Sequence, residues 1–142
     1  MTGSQVVPPN SSTATGTLDV LYVRGSHTLN YTVTWTGLSG APATGTGSGQ
    51  FAGNTFPAIG IYGLADPGFM AFPYAGLSNF TNGVAQSITS GFPAAASGTY
   101  SGSLYVDDVL IKDSDLLNGK FYLMIRTAGF PNGQLRAQIY FR

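Results

Sequence analysis

The sequence predicts a single-domain, all-β protein: an antiparallel Greek-key β-sandwich of about seven to nine strands spanning residues 1–142. Three observations predict this fold. Alternating apolar and polar residues recur along the chain, turn residues separate them at short intervals, and no segment carries the apolar period of a long helix. The 142 residues, 43% of them apolar, suffice for one hydrophobic core.

The first two strands lie near the N-terminus. Residues 17–24 are β-branched and aromatic, and residues 27–36 alternate strictly, which is typical of a half-buried antiparallel strand. Residues 24–26 indicate the hairpin turn between the two strands. The side chains predicted to face the core from the second strand are Leu29, Tyr31, Val33 and Trp35.

The middle of the chain is rich in Gly, Pro and small polar residues. Residues 37–55 predict a long loop with one short strand at most. Residues 57–64 form an apolar run interrupted by glycines, which indicates a strand with a bulge or a close backbone approach. Residues 65–97 hold several turns and leave room for one or two short strands whose positions the pattern does not fix.

The last third is again strand-rich. Residues 98–106 predict a strand, after which Asp113 or Ser114 is expected to cap one helical turn that Gly119 ends.

The chain is then predicted to close with a final hairpin. Residues 120–127 and 134–142 predict two strands, with the turn between them at residues 131–133. Their register stays open. The predicted inner face of the last strand is formed by Leu135, Ala137, Ile139 and Phe141.

Charge is the most unusual feature of the composition. Charged residues make up 8% of the chain, against about 25% in ordinary domains. There are six Asp, no Glu and a net charge of zero. We therefore expect no nucleic-acid footprint and no membrane insertion, since no apolar run approaches the roughly 18 residues a spanning helix needs. A neutral surface opposes contact between copies only weakly.

Few side chains are suited to catalysis or metal binding. The absence of Cys excludes disulfides and thiolate metal sites. His27, the single histidine, falls in a predicted turn with no nucleophile or orienting partner nearby. We expect no enzyme activity, cofactor or metal site. One alternative stays open: the acidic cluster is either a solvated loop or a calcium site. Its members are Asp107, Asp108, Asp113 and Asp115.

Two arginines are candidate binding residues. Arg126 and Arg136 fall on the outward faces of strands joined by one turn, so they can approach each other. They would then bind an anionic ligand or partner, pair with an aspartate such as Asp19 or Asp66, or remain exposed edge charges.

Aromatic residues crowd the loop-rich middle and form the second candidate site. Interleaved with Gly and Pro, they indicate a platform for a sugar or another protein, or a plug for one end of the sandwich. The binding candidates among them are Tyr62, Phe69, Phe72 and Tyr74.

Motifs distributed along the chain resemble one known family, the CHRD domain. Residues 2–16 resemble its opening, with Val-Pro-Pro followed by small residues and a Gly, and residues 29–39 resemble its next block. Residues 115–122 resemble its D-L-L-x-G-x-x-Y element. Its closing pattern is matched by Thr127, Pro131, Gly133, Leu135, Arg136 and Gln138.

The resemblance implies an extracellular β-sandwich without established catalytic activity, secreted or surface-displayed after removal of a leader peptide. The chain departs from the family's A-H-I-H-G-P-A stretch, where Gly60 and Tyr62 replace the two histidines. Arg126 replaces a later histidine and Gln134 an acidic residue. If the family binds metal at its H-x-H motif, this chain has lost that site.

The functional prediction is a non-catalytic extracellular structural or adhesive module. It would bind copies of itself or another extracellular protein through neutral surfaces rich in aromatic residues, Gly, Ser and Thr. A carbohydrate- or small-ligand-binding module is the first alternative. A metal protein resembling superoxide dismutase is the second, which one histidine and no cysteine disfavour.

Overall fold

The computed structural model describes residues 1–71 and 81–141, and these ranges form an all-β sandwich. The strands are β1 (Thr15–Val23), β2 (Thr28–Thr36), β3 (Gly45–Thr46), β4 (Thr55–Phe56), β5 (Ile59–Gly63), β6 (Val84–Ile88), β7 (Gly98–Tyr105), β8 (Phe121–Thr127) and β9 (Phe130–Gln138). One short helix, α1, spans Asp113–Leu117. Single 3-10 turns lie at Gly3–Gln5, Arg24–Ser26, Gly49–Phe51 and Thr81–Gly83.

Two sheets form the sandwich. The first has the order β1-β2-β7 and the second the order β6-β5-β8-β9, while β3 and β4 pair only with each other. All of these pairings are antiparallel. Among the described strands, the chain passes from one sheet to the other after β2, after β6 and after β7. The prediction of a Greek-key sandwich is confirmed.

The main core lies between the two sheets. Strand β2 alternates between buried and exposed residues as predicted, and Trp35 is almost fully buried. The Trp35 indole nitrogen donates a hydrogen bond of 3.1 Å to the carbonyl of Ala95, which satisfies its polar group inside the core. Ile61 and Leu123 contribute to the same core from the second sheet.

A second, smaller core covers the outer face of the four-stranded sheet. Every residue of β8 is buried, because this sheet has the main core on one face and the second core on the other. The members of the second core are Val6, Phe51, Phe56, Tyr62, Ala65, Met70, Ala71, Tyr122 and Met124. The sequence predicted one inner face for the last strand. Leu135 does lie in the main core, but Gln134 and Arg136 are buried as well.

The predicted turn at residues 131–133 is wrong. The chain turns earlier, so that Thr127 pairs with Phe130 and Pro131 already lies within β9. The register of the β8–β9 pair shifts between Ile125 and Thr127, which takes Arg126 out of the regular pairing. Strand β9 is the sheet edge, where a proline and a glycine within a strand are tolerated.

The helical turn forms where it is predicted, but its cap differs. The N-cap residue is Lys112, and the backbone N–H of Asp113 donates to the Asp108 carboxylate at 3.0 Å. The prediction that Asp113 or Ser114 caps this helix is therefore wrong, because an earlier aspartate of the loop accepts the hydrogen bond. Gly119 follows the helix with φ of +72°, as expected of a residue that ends it.

Two further predictions concern the middle of the chain. The bulge predicted within residues 57–64 is confirmed by a register shift in the β5–β6 pair between Ile61 and Tyr62. The loop at residues 37–55 contains one short strand, β3, and ends on the first residue of β4. Within the described ranges, no helix has the length and apolar character to cross a membrane.

The two sheets are linked along both sides of the sandwich. Thr2 forms backbone bridges to Thr15 of β1 and to Arg136 of β9, so the N-terminal segment joins one sheet to the other. On the opposite side, the Gln86 side chain of β6 accepts a hydrogen bond from the Tyr31 hydroxyl at 2.7 Å. It donates another to the Ser103 carbonyl of β7 at 2.8 Å.

Candidate functional site

The two candidate arginines lie on the outer face of the four-stranded sheet, beneath the second core. The sequence predicted outward faces, with the two side chains binding an anionic ligand or partner, paired with an aspartate, or exposed. Both residues are instead only 2% exposed. Among the described residues, the ion pairs join Lys120 to Asp66 and Arg24 to Asp113, so neither Arg126 nor Arg136 has a carboxylate partner there.

Arg126 is held by neutral groups. Its Nη1 donates to the Pro57 carbonyl at 3.2 Å and to the Tyr62 hydroxyl at 3.1 Å, and its Nε donates to the Pro131 carbonyl. The guanidinium carbon lies 4.4 Å from the ring centroid of Phe56, which adds a cation–π contact.

Arg136 has the same kind of environment. Its guanidinium carbon lies 3.6 Å above the Tyr122 ring. Its Nη1 donates to the Phe69 carbonyl at 2.7 Å, and its Nη2 donates to the Asp66 carbonyl at 3.3 Å and the Gln138 side chain at 2.8 Å. Burial lowers the pKa of Arg136, because the low-dielectric interior disfavours its charged form.

Two tyrosines connect the arginines. The rings of Tyr62 and Tyr122 stack with centroids 5.2 Å apart and planes 7° apart. Burial raises the pKa of both phenols, that of Tyr122 to about 12, so both are neutral at ordinary pH. The Tyr122 hydroxyl also accepts the backbone N–H of Ala71 at 3.1 Å. We call Arg126, Tyr62, Tyr122 and Arg136 together the Arg–Tyr array.

Two cavities adjoin the Arg–Tyr array. The smaller, of about 20 Å³, is lined by both arginines, Tyr122 and Met124. The larger is an open cleft of about 300 Å³, lined by Arg136 and Gln138 together with residues of the N-terminal segment. The array can therefore offer cationic N–H donors to a ligand, but its members include no group suited to exchange protons near neutral pH.

Two members of the array, Tyr62 and Arg126, occupy positions at which the CHRD resemblance places histidines, and Gly60 occupies a third. Gly60 and Tyr62 lie two residues apart on β5, and a Cβ on Gly60 would come within 2.7 Å of the Tyr62 ring. A side chain at position 60 would displace that ring, so the glycine and the tyrosine fit together. Among the described residues, no group of three His, Cys, Asp or Glu side chains is arranged to hold a metal ion.

The predicted aromatic candidates separate in the structure. Tyr62 belongs to the Arg–Tyr array and is buried, whereas the side chain of Phe69 is 67% exposed on the same side of the sandwich. Phe72 and Tyr74 lie outside the described residues.

The acidic cluster organises its own loop. One carboxylate oxygen of Asp107 accepts the backbone N–H groups of Val109, Leu110 and Ile111, each at 3.0 Å. These hydrogen bonds, led by that from Ile111, lower the pKa of Asp107. His27, as predicted, is an exposed turn residue, with φ of +52°.

Sequence reasoning missed a second surface, the outer face of the three-stranded sheet. Hydroxyl pairs link β2 to β7 and to the residue before it: Thr32 to Ser101 at 2.8 Å, Thr34 to Thr99 at 3.1 Å and Thr36 to Ser97 at 3.0 Å. We call these six residues the hydroxyl ladder. Alternate Thr and Ser in both segments were the available signal, but the ladder also depends on a register that the pattern does not fix.

An apolar area adjoins the hydroxyl ladder on the same face. Val23 and Tyr105 lie on either side of Thr28 in the strand pairing, and Leu21 is two pairs further along, opposite Asn30. All three are exposed, Tyr105 by 64%. We call Leu21, Val23 and Tyr105 the apolar patch. The three strands of this sheet contribute one charged side chain, that of Asp19.

Comparison with known proteins gives one result. No curated protein and no solved structure is detectably similar to the chain. The model of the CHRD domain family, in contrast, matches residues 1–139, nearly the whole chain. The all-β fold and the matched range agree with the resemblance in the sequence, and the chain therefore belongs to the CHRD domain family.

Proposed function

We propose that this domain is a non-catalytic extracellular module that associates with further copies of itself through the outer face of the three-stranded sheet. CHRD domains occur in extracellular or secreted proteins and are generally non-enzymatic. The observation that carries the proposal is the composition of this face: a hydroxyl ladder and an exposed apolar patch, with Asp19 as the one charge contributed by its strands.

Charge favours a second copy as the partner. The chain has a net charge of zero, and the face carries almost no charge of its own. Two copies of such a face meet without like-charge repulsion, whereas a strongly charged partner would find no complementary groups. Apolar side chains exposed beside polar neighbours are typical of protein contact sites.

The size of the face indicates how strong the association can be. Three strands of eight or nine residues cover roughly 14 by 27 Å. That is less than the roughly 800 Å² of accessible surface that each partner of a stable complex contributes. We therefore expect reversible association that grows with concentration, rather than a permanent dimer.

The test is sedimentation velocity over a concentration series of the wild type and two variants. Tyr105→Lys places a charge in the apolar patch and should weaken association at least about tenfold, because an aromatic side chain that the contact desolvates is replaced by an ammonium group. Phe69→Lys is the matched control, since Phe69 is similarly exposed but lies in the loop after β5, on the side of the four-stranded sheet.

Three outcomes would contradict the proposal. The first is a strict monomer at the highest concentration. The second is a Tyr105→Lys variant that associates like the wild type. The third is weakening by Phe69→Lys alone, which would move the contact between copies to the predicted aromatic surface.

A further inference from the structure

We propose that the small cavity between Arg126 and Arg136 binds one monovalent anion the size of chloride. This inference concerns the outer face of the four-stranded sheet, opposite the proposed contact face, and is independent of self-association.

The first argument is the balance of charge. Arg126 and Arg136 are both buried, and guanidinium groups keep their charge at ordinary pH. Buried charges are costly unless an opposite charge accompanies them. Among the described residues, neither arginine contacts a carboxylate. Residues 72–80 contain no acidic residue and the chain contains no Glu, so those positions supply none either.

The six aspartates are engaged or placed elsewhere. Asp66 directs its carboxylate to Lys120 at 2.6 Å, and only its backbone carbonyl contacts Arg136. Asp19 lies on the other sheet. The remaining four belong to the acidic cluster in and before α1.

The second argument is the count of hydrogen-bond donors. A guanidinium group has five N–H donors on three nitrogens. The contacts of Arg126 use Nε and Nη1, and those of Arg136 use Nη1 and Nη2. Nη2 of Arg126 and Nε of Arg136 therefore have no protein acceptor among the described residues. Both arginines line the same cavity, which a shared acceptor could occupy.

The third argument is size. The cavity measures about 20 Å³, and roughly 10–15 Å³ by this measure holds one water-sized particle. A single halide fits, accepts several N–H groups without directional demand, and tolerates the apolar contacts of Phe51 and Met124 in the lining. A water molecule fits as well but leaves the charge unbalanced.

The first experiment measures thermal unfolding of the full chain in sodium chloride and in sodium gluconate at equal ionic strength. A site with a dissociation constant of about 1 mM is nearly saturated at about 0.1 M chloride, and the midpoint should rise saturably by at least about 3 °C. Arg126→Met should lose this chloride dependence. Arg24→Met, which removes an exposed arginine, should keep it.

Equal midpoints of the wild type in the two salts would refute the site, as would an Arg126→Met variant with undiminished chloride dependence. If that variant does not fold, anomalous diffraction from wild-type crystals soaked in bromide decides. A peak between the two guanidinium groups supports the proposal, and no peak there, with density for water alone, overturns it. Tyr105→Lys should leave the chloride effect unchanged, so this site and the proposed contact face can fail separately.

Discussion

At the scale of single residues, Tyr62 and Arg126 stand where the CHRD resemblance places histidines. The imidazole groups are replaced by a phenol and a guanidinium group, so the site stays polar. The resemblance implied that a metal site, if the family has one there, would be lost, but not what would replace it. In the structure the two side chains hydrogen-bond at 3.1 Å, and stacking on Tyr122 and Phe56 holds them in place. The position is a cationic part of a covered surface.

The Tyr62 hydroxyl should contribute measurably to stability. Tyr62→Phe removes the oxygen that accepts from Arg126 Nη1 while keeping the stacked ring. The free energy of unfolding should fall by about 1–2 kcal/mol, because a buried charged donor loses an acceptor. Urea unfolding measures the change.

The matched control is Tyr105→Phe, which removes an exposed hydroxyl and should change the free energy by less than about 0.5 kcal/mol. Equal effects of the two substitutions would contradict the role given to the Tyr62–Arg126 hydrogen bond.

At the scale of elements, strands with one buried face were predictable and strands with two were not. The alternation of residues 27–36 placed β2 correctly, because its outer face lies in solvent. The same reasoning assigned an open outer face to the strands carrying Arg126 and Arg136. It could not foresee that residues distant in sequence, such as Val6 and Phe51, cover that face. The misplaced turn has a local cause, the register shift around Arg126.

The loop after β7 should depend on the ionised Asp107 carboxylate. Hydrogen bonds from Ile111, Val109 and Leu110 lower the pKa of Asp107 in the folded protein. The stabilisation that the ionised Asp107 gives the folded state is therefore complete above the unfolded pKa near 3.9. It is lost as pH falls through the lower pKa of the folded protein. NMR titration should show the Asp107 carboxyl with a midpoint below about 3.9, and the amide protection factor at Ile111, corrected for the intrinsic pH dependence of exchange, should fall as this group is protonated.

Asp107→Asn should show fast exchange at Ile111 already at neutral pH, because the neutral amide is a weaker acceptor for three N–H groups. Thr99, near the start of β7 and therefore at the end of the strand away from this loop, provides an internal reference whose protection should not change. An Asp107 midpoint at or above the unfolded value would contradict the prediction.

At the scale of the whole molecule, the N-terminal segment acts as part of the fold. Thr2 bridges both sheets, and Val6 is buried in the second core above the Arg–Tyr array. Asn10 adds hydrogen bonds from its side chain to the carbonyls of Gly133 and Gln134, at 3.0 and 3.3 Å. These contacts link the first residues to the last strand.

Deletion of residues 1–9 should therefore lower the free energy of unfolding by at least about 3 kcal/mol, since burial of Val6 alone contributes roughly 2 kcal/mol and the bridges of Thr2 are lost with it. Chemical denaturation measures this loss. The substitution Val6→Ala should reproduce part of it, and Val23→Ala, at an exposed position, should not. A deletion variant as stable as the full chain would show that the segment only rests on the sheet.

The hydroxyl ladder bears on the entropy of binding. Each Thr or Ser in the ladder already forms a hydrogen bond to its partner across the strands, so its side-chain torsion is fixed before a partner binds. A lysine or glutamate at the same position would lose the rotational freedom of several side-chain bonds when a partner binds. Side chains that are already ordered lose little conformational entropy when a partner covers them. A small contact area can therefore still give measurable association.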